Sequence, residues 1–244
     1  MTTVTDNKLA IIIPAMNESG SIASVLSDIT EHFKCTVIVV DDASTDNTAQ
    51  IARGLGACVL SHAINLGAWR ATQTGIRYAL KKGYERVITC DADGQHPAHS
   101  LVTLLENAPL ENHCTIGACT SRGSLGRHIA WRLFKRLSGV NVRDITSGLR
   151  LYTHPAMQVL ASYQATMFEY QDVGVLLMLK HLKMRCSEVS VCMKQREDGI
   201  SRIFHSWLAV FKYLLYTFIL SMTKLGPQAV DKYHKQLTAG AELD

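Results

Sequence analysis

Apolar residues in the first half of the chain come in three short runs, LAIIIPA at 9–15, CTVIVVDD at 35–42 and RVITCDAD at 86–93. Each is of strand length, rich in β-branched residues and nearly unbroken by polar positions, which predicts parallel strands covered on both faces. Between the runs the period changes to that of a helix. In SIASVLSDITEHF, Ile22, Val25, Leu26 and Ile29 share one helical face, with Ser19 or Ser21 available as a cap. DNTAQIARGLGACVL predicts a helix and then a short strand near 57–60, and ATQTGIRYALKKG predicts a helix that stops on the glycine at its C-terminal cap position. Repeated β-α alternation of this kind predicts an α/β fold with a mainly parallel sheet flanked by helices. The second half is less regular: a basic helix over 126–138, the segment DITSGLRLY near 144–152, an apolar helix around 170–182 and a strand near 187–193.

Composition adds bounds to this pattern. With 244 residues, 47% hydrophobic and 19% charged, the chain suits one compact domain with a substantial core. A net charge of +4 is too mild to suggest a nucleic-acid partner. The seven cysteines are odd in number, scattered and without CxxC spacing, so they read as reduced core thiols and not as a zinc site. The start MTTVTDNK has neither the basic residues nor the small-residue cleavage site of a signal peptide, which points to the cytoplasm.

Candidate chemistry collects at the strand ends. In parallel sheets ligands bind outside the carboxyl ends of the strands, and the acidic pairs Asp41, Asp42 and Asp91, Asp93 fall there. Residues two apart in an extended segment point to one side across about 6.6 Å of rise. Asp91 and Asp93 could therefore share a hard cation such as Mg²⁺ or Mn²⁺. A solvated acidic turn closing the strand is the plainer reading of D-x-D by itself. Neither G-x-x-x-x-G-K-[ST] nor G-x-G-x-x-G follows the first strand, which ends PAMNE. A nucleotide bound here would thus be held by carboxylates at its base and ribose and by a metal at its diphosphate. Glu18 and Asp46 could also do no more than neutralise the starts of helices, and Asn65 and Gly67 of NLG could form only a turn.

Further on, Arg122, Arg127, Arg132, Lys135, Arg136, Arg143 and Arg150 crowd one stretch in which Asp144 is the only acidic residue. Such a run is either a solvated basic face or a phosphate site, for which the planar guanidinium fork is well suited. Residues 203–224 carry Phe204, Trp207, Leu208, Phe211, Leu214, Leu215, Phe218 and Met222 at three-four spacing opposite a mixed polar face. This predicts a C-terminal amphipathic helix lying on a membrane surface, with packing on the domain or on a second subunit as the alternative and a membrane span as the least favoured reading. The chain accordingly divides into 1–202, the globular domain, and 203–244, the helix and tail.

The stretches IIIPAMNESGSI, VIVVDDASTDNT, NLGAWRATQTGI and DADGQHP, in this order, resemble the inverting nucleotide-sugar glycosyltransferases of family 2, which have the Rossmann-like glycosyltransferase A fold. SRGSLGR, DITSGLRLY and REDGISRI are similar to the polyprenyl-phosphate, dolichol-phosphate mannose synthase-like branch of that family. The resemblance implies that Pro14, Met16, Glu18, Val40 and Asp42 surround the nucleoside of the donor. It implies that Asp91, Ala92, Asp93 and Gln95 meet the diphosphate, with Asp91, Asp93 and Gln95 around Mg²⁺ or Mn²⁺ and Asp93 catalytic through the metal. It implies that Arg122 and Arg136 hold an acceptor phosphate while Arg196 and Arg202 close over it. Asp172, in FEYQDVG with Glu169, stands where sugar-acceptor members carry their catalytic aspartate. Methionine at 16, where the family often has an aromatic residue or leucine, and arginine at 202, where lysine is common, depart from the pattern. The implied activity is inverting sugar transfer to a polyprenyl phosphate, by a peripheral protein at the cytosolic membrane face, alone, as a homo-oligomer or with a membrane-protein partner. Two other readings are transfer to a glycan hydroxyl, with Asp172 as general base, and nucleotide-sugar binding without turnover.

Overall fold

The computed structural model describes residues 3–119, 142, 144–168, 171 and 173–194. The basic helix expected over 126–138 and the amphipathic helix expected over 203–224 lie outside the described residues.

Seven strands form one sheet: β1 (Val4–Ala15), β2 (Phe33–Asp41), β3 (Cys58–Ser61), β4 (Arg86–Thr89), β5 (Cys114–Ala118), β6 (Arg150–Thr153) and β7 (Cys186–Ser190). Their order across the sheet is β3-β2-β1-β4-β6-β5-β7. As the hydrophobic runs predict, β1, β2, β3 and β4 are parallel neighbours, and β5 pairs parallel with β7. The exception is β6, which enters antiparallel between β4 and β5. It therefore brings its N-terminal end, and the residues just before it, to the carboxyl end of β4.

Two apolar layers sandwich the sheet because β1 is buried on both sides. Leu9, Ile11 and Ile13 pack on α1 (Ile22–His32), α2 (Thr48–Gly54) and α4 (Ala98–Asn107). Ala10 and Ile12 pack on α3 (Ala68–Lys81), α5 (His154–Leu160) and α7 (Val173–His181). A one-turn helix, α6 (Tyr163–Thr166), precedes α7. α3 ends where the sequence places its stop, with Gly83 at φ 80° and Tyr84 N bonded back to Ala79 O at 3.0 Å.

Three expectations need correction. β1 begins at Val4 and not at Leu9: polar VTDNK continues the strand because Val4 and Thr5 pair with Phe33 and Lys34. β4 stops at Thr89, so the acidic pair that follows belongs to a turn and not to extended strand. Among the cysteines, Cys90, Cys114 and Cys119 are buried, Cys35, Cys58 and Cys186 are half-buried, and Cys192 is exposed. Burial pushes the Cys35 thiol up to about 12.

Close packing is tightest where α3 crosses the sheet. A Cβ on Gly75 would lie 2.5 Å from Ile12 Cγ2 and 3.3 Å from Val40 Cγ2, both in fully buried side chains. Gly75→Ala is expected to destabilise the protein by about 1–3 kcal/mol through overpacking, despite alanine's better helix propensity. Urea unfolding that shows equal or greater stability would overturn this.

Candidate active site

The carboxyl ends of β1, β2 and β4 form one rim. Chain connections leave β1 toward β2 on one side and return to β4 on the other, so the rim lies at the topological switch point where α/β sheets bind ligands. Pro14 pairs in register with Val40, and Asp42 N donates to Ala15 O at 2.8 Å. The turn after β1 is stitched to the turn after β2. Asn17, at φ 54°, accepts Thr45 N at 2.8 Å, Glu18 N donates to Thr48 Oγ1 at 2.8 Å, and Ser19 N donates to Asp46 Oδ2 at 3.1 Å. Bonds from the Thr48 hydroxyl and then from Ser19 hold the Asp46 carboxyl well below the usual carboxylate range. Asp46 Oδ1 also accepts Thr48 N at the start of α2, so its structural reading is the one the geometry supports. Ser21 is the N-cap residue of α1, but its hydroxyl donates to Glu18 Oε2 at 3.0 Å and caps nothing.

Asp42 is held by three bonds. Its Oδ1 faces His62 Nδ1 at 2.8 Å and accepts Leu66 N at 2.8 Å, while Oδ2 accepts Gly67 N at 2.8 Å. Gly67 adopts φ 90°, a conformation that favours glycine, so the NLG turn can aim two consecutive N–H groups at one carboxylate. Asn65 donates to the Met16 sulfur, and Met16 stands about one-third exposed at the mouth. Pro14, Met16, Val40 and Asp42 are therefore neighbours, with Glu18 in the adjoining turn. Asp41 is buried too, and its carboxylate accepts Ser44 N at 3.3 Å.

On the β4 side, Gly94 at φ 74° reverses the chain after Asp93. Gln95 then folds back on Asp93, its N donating to Oδ1 at 3.1 Å and its Nε2 to Oδ2 at 2.7 Å. Asp91 N donates to His96 Nδ1 at 3.2 Å, and the Asp91 side chain is about half exposed. Three other parts of the chain hold this acidic turn. Asp28 of α1 accepts Ala98 N at 2.8 Å, fixing the start of α4; Lys194 N donates to Gln95 O at 3.0 Å; and Gly148 lies against the Asp91 carboxylate. A Cβ at 148 would sit 2.5 Å from Asp91 Oδ1. The space beside Asp91 is thus kept open by a glycine.

The donor set fits a hard divalent cation. Among the described residues no group of three or more His, Cys, Asp and Glu side chains is placed to hold a metal. Two carboxylates at an open rim suit an ion that keeps waters and also takes substrate phosphate oxygens, as Mg²⁺ and Mn²⁺ do.

Sequence reasoning gave no role to Gly148 or His62 and put Arg150 in a run read as either a solvated basic face or a phosphate site. Arg150 is fully buried, donating to Ser147 O at 3.0 Å, Ile145 O at 2.8 Å and Gln171 O at 2.7 Å. Its fork is matched by backbone carbonyls, which makes it a brace for the DITSG turn. The same turn uses Asp144, whose carboxylate accepts Thr146 N and Cys119 N at 3.3 Å each. Gln171 Nε2 in turn bonds Thr89 Oγ1 at 3.0 Å and Tyr152 Oη at 3.1 Å. The residue before Asp172 is thereby tied to the strand that carries Asp91. A signal for Gly148 was present in the quoted DITSGLRLY; none marked His62 beyond its place ahead of NLG. Arg122, Arg136, Arg196, Arg202, Glu169 and Asp172 lie outside the described residues.

Comparison with known proteins accounts for this arrangement. The chain is 28% identical over 231 residues to a UDP-N-acetylglucosamine–dolichyl-phosphate N-acetylglucosaminyltransferase of Methanococcus voltae, covering 81% of this chain and 90% of that protein. It is 26% identical over 225 residues to a polyprenol monophosphomannose synthase of Mycolicibacterium smegmatis, covering 83% and 84%. In fold it resembles the mannosyltransferase PcManGT of Pyrobaculum calidifontis, solved with GDP-Man and Mn²⁺, at a TM-score of 0.68 and 18% identity over 90% of this chain and 65% of that one. Glucosyl-3-phosphoglycerate synthase of Mycobacterium tuberculosis, solved with Mn²⁺, UDP and glucosyl-3-phosphoglycerate, gives a TM-score of 0.64 and 19% identity over 87% and 79%. The family model described as Glycosyl transferase family 2 matches residues 10–169, and with the sheet order and acidic turn described above this places the chain in glycosyl transferase family 2, with the glycosyltransferase A fold.

Proposed function

We propose that the protein transfers one sugar, with inversion, from a nucleotide-sugar donor to a polyprenyl phosphate at the cytosolic face of a membrane. The observation that carries this reading is the shared rim, where the Pro14, Met16, Val40 and Asp42 group and the Asp91, Asp93 and Gln95 turn flank the switch point. The similarity to dolichyl-phosphate and polyprenol-phosphate enzymes supports the choice of acceptor. Met16 and Asp42 would receive the base, Glu18 the ribose side, and Asp91, Asp93 and Gln95 would hold Mg²⁺ or Mn²⁺ with the diphosphate. Bound there, the ion supplies Lewis-acid stabilisation of the charge that develops on the departing nucleoside diphosphate. Asp93 is oriented for this by the two Gln95 donors, and Asp91 by Gly148.

A lipid monophosphate is already ionised near neutral pH, so its oxygen needs orientation more than deprotonation before it attacks the anomeric carbon from the far face. Arg122 and Arg136 are assigned that orienting role, with Arg196 and Arg202 closing over the phosphate. The bond from Lys194 N to Gln95 O supports this last part, because it brings the chain to the edge of the acidic turn just before residue 196. No helix among the described residues is long and apolar enough to cross a membrane. Residues 203–224 are assigned the membrane contact, as a surface-lying helix.

The anchoring of Gln171 beside Thr89 also suits the second reading, in which Asp172 deprotonates a glycan hydroxyl. One experiment separates the two. The protein is given a panel of nucleotide sugars with a short polyprenyl phosphate or a free glycan, and products are identified by mass. Transfer to the lipid phosphate is expected; transfer to the glycan alone would replace the proposal, and donor binding without any product would leave only a binding protein. In the same assay Arg122→Ala is expected to raise the acceptor KM roughly 10- to 150-fold, about 1.5–3 kcal/mol, while leaving donor binding unchanged. Equal damage to both substrates would reject the assignment of the basic stretch.

A further inference from the structure

His62 sits at the end of β3, where its backbone N donates to Asp41 O at 2.9 Å. Its ring lies between Asp42 Oδ1, 2.8 Å from Nδ1, and Thr74 Oγ1 of α3, 3.0 Å from Nε2. The Thr74 hydroxyl also lies 3.0 Å from Arg70 O, one turn back in α3. The Asp42 carboxylate, whose side chain is 4% exposed, is an acceptor, so Nδ1 donates to it.

We infer that His62 is a positioning residue for the donor nucleotide: its ring, bonded to Asp42 through Nδ1 and to Thr74 through Nε2, pins Asp42 so that this carboxylate both holds the 65–67 turn and offers its last acceptor position to an N–H of the nucleobase. This deepens the reading given under Proposed function and rests on it. With His62, Leu66 N and Gly67 N in place, three of the four acceptor positions of Asp42 are used, and one on Oδ2 remains. The same bonds keep Asn65 against Met16, so base edge and base face are fixed by one network. Without the ring, a nearly buried carboxylate loses one of its three hydrogen-bond donors and is freed to turn, and the two loop N–H groups lose a fixed partner.

The test has two arms. In protein with ¹⁵N-labelled histidine, free of nucleotide, the His62 signal is assigned by its absence in His62→Gln. An N–H at Nδ1 is expected; a ring whose proton is on Nε2 and not on Nδ1 overturns the arrangement whatever the enzyme does. In the second arm, binding of UMP and of GMP is titrated without metal, and donor KM and kcat are measured with Mn²⁺ for the nucleotide that binds the parent more tightly. His62→Ala is expected to weaken nucleotide binding and raise donor KM roughly tenfold or more with kcat largely kept, and His62→Gln, which retains one donor, to recover part of the loss. Unchanged binding, or loss of kcat at constant KM, overturns the inference. If His62→Ala does not fold, Thr74→Val decides by the same readings, since it removes only the ring's other partner. A parent that binds neither UMP nor GMP overturns the function proposal, and the role of His62 toward the nucleotide with it, while the state of the ring is still settled by the first arm.

Discussion

Asp93→Asn is expected to lower turnover roughly a hundredfold or more, about 2.7 kcal/mol of transition-state stabilisation, while the protein stays folded. Asparagine has the shape of aspartate, and the side chain belongs to a half-buried turn and not to either apolar layer. Its Oδ1 can still accept Gln95 N, whereas an amide nitrogen in place of Oδ2 would face the Gln95 Nε2 donor and turn that side chain away. The lost charge therefore comes with a lost Gln95 orientation. The rate of nucleoside diphosphate release, with and without chelator, and the midpoint of thermal unfolding are the measurements. Near-normal turnover at saturating Mn²⁺, or full parent activity in chelator, would reject the metal assignment.

Gly148→Ala is the sharper geometric test, because position 148 contributes no functional group. The added methyl would lie 2.5 Å from Asp91 Oδ1, 2.8 Å from Oδ2 and 3.0 Å from Cγ. These atoms are the end of a half-exposed side chain, so the clash is relieved by swinging Asp91 and not by moving the backbone. Stability should change little. Metal affinity should fall roughly 10- to 100-fold, as for other losses of ligand orientation. Mn²⁺ titration followed by turnover measures this, and combination with Asp91→Asn should add little further loss if the two act on one carboxylate. Unaltered Mn²⁺ affinity would mean that Asp91 does not hold the ion.

The legible parts of this fold were those carried by uninterrupted hydrophobicity. β1 from Leu9, β2 and β4 are runs in which both faces are apolar, and such runs need no partner to be recognised. β5 was not foreseen, since CTIGA is five residues long and its burial depends on β6 and β7 lying beside it. The antiparallel insertion of β6 was hidden for the same reason: RLYT does not state its direction. At the site, their place at strand ends put Asp42, Asp91 and Asp93 on one rim, and Gln95 was added only by the resemblance. What it missed are residues that act through another residue. Gly148 matters by lacking a side chain beside Asp91, His62 by a bond to Asp42, and Arg150 by three carbonyls, and none of these relations has a local pattern in the chain. Arg150 was misread because a buried arginine and a solvated one look alike in sequence; only the carbonyls around it distinguish them.

The bonds that fix the acidic turn also set an order of events in synthesis. Residues up to 90 contain the four parallel strands of the donor side, and these can pair as they emerge. The turn at 91–96, however, rests on Gly148, on Gln171 through Thr89 and on Lys194, all made later. Bringing those segments back requires closing long loops, whose entropy must be met before the contacts form. A nucleotide with its metal would bind only after that closure and would stabilise only the closed chain, in proportion to ligand over Kd. Under the proposed function, the donor itself would then favour finished molecules over truncated ones.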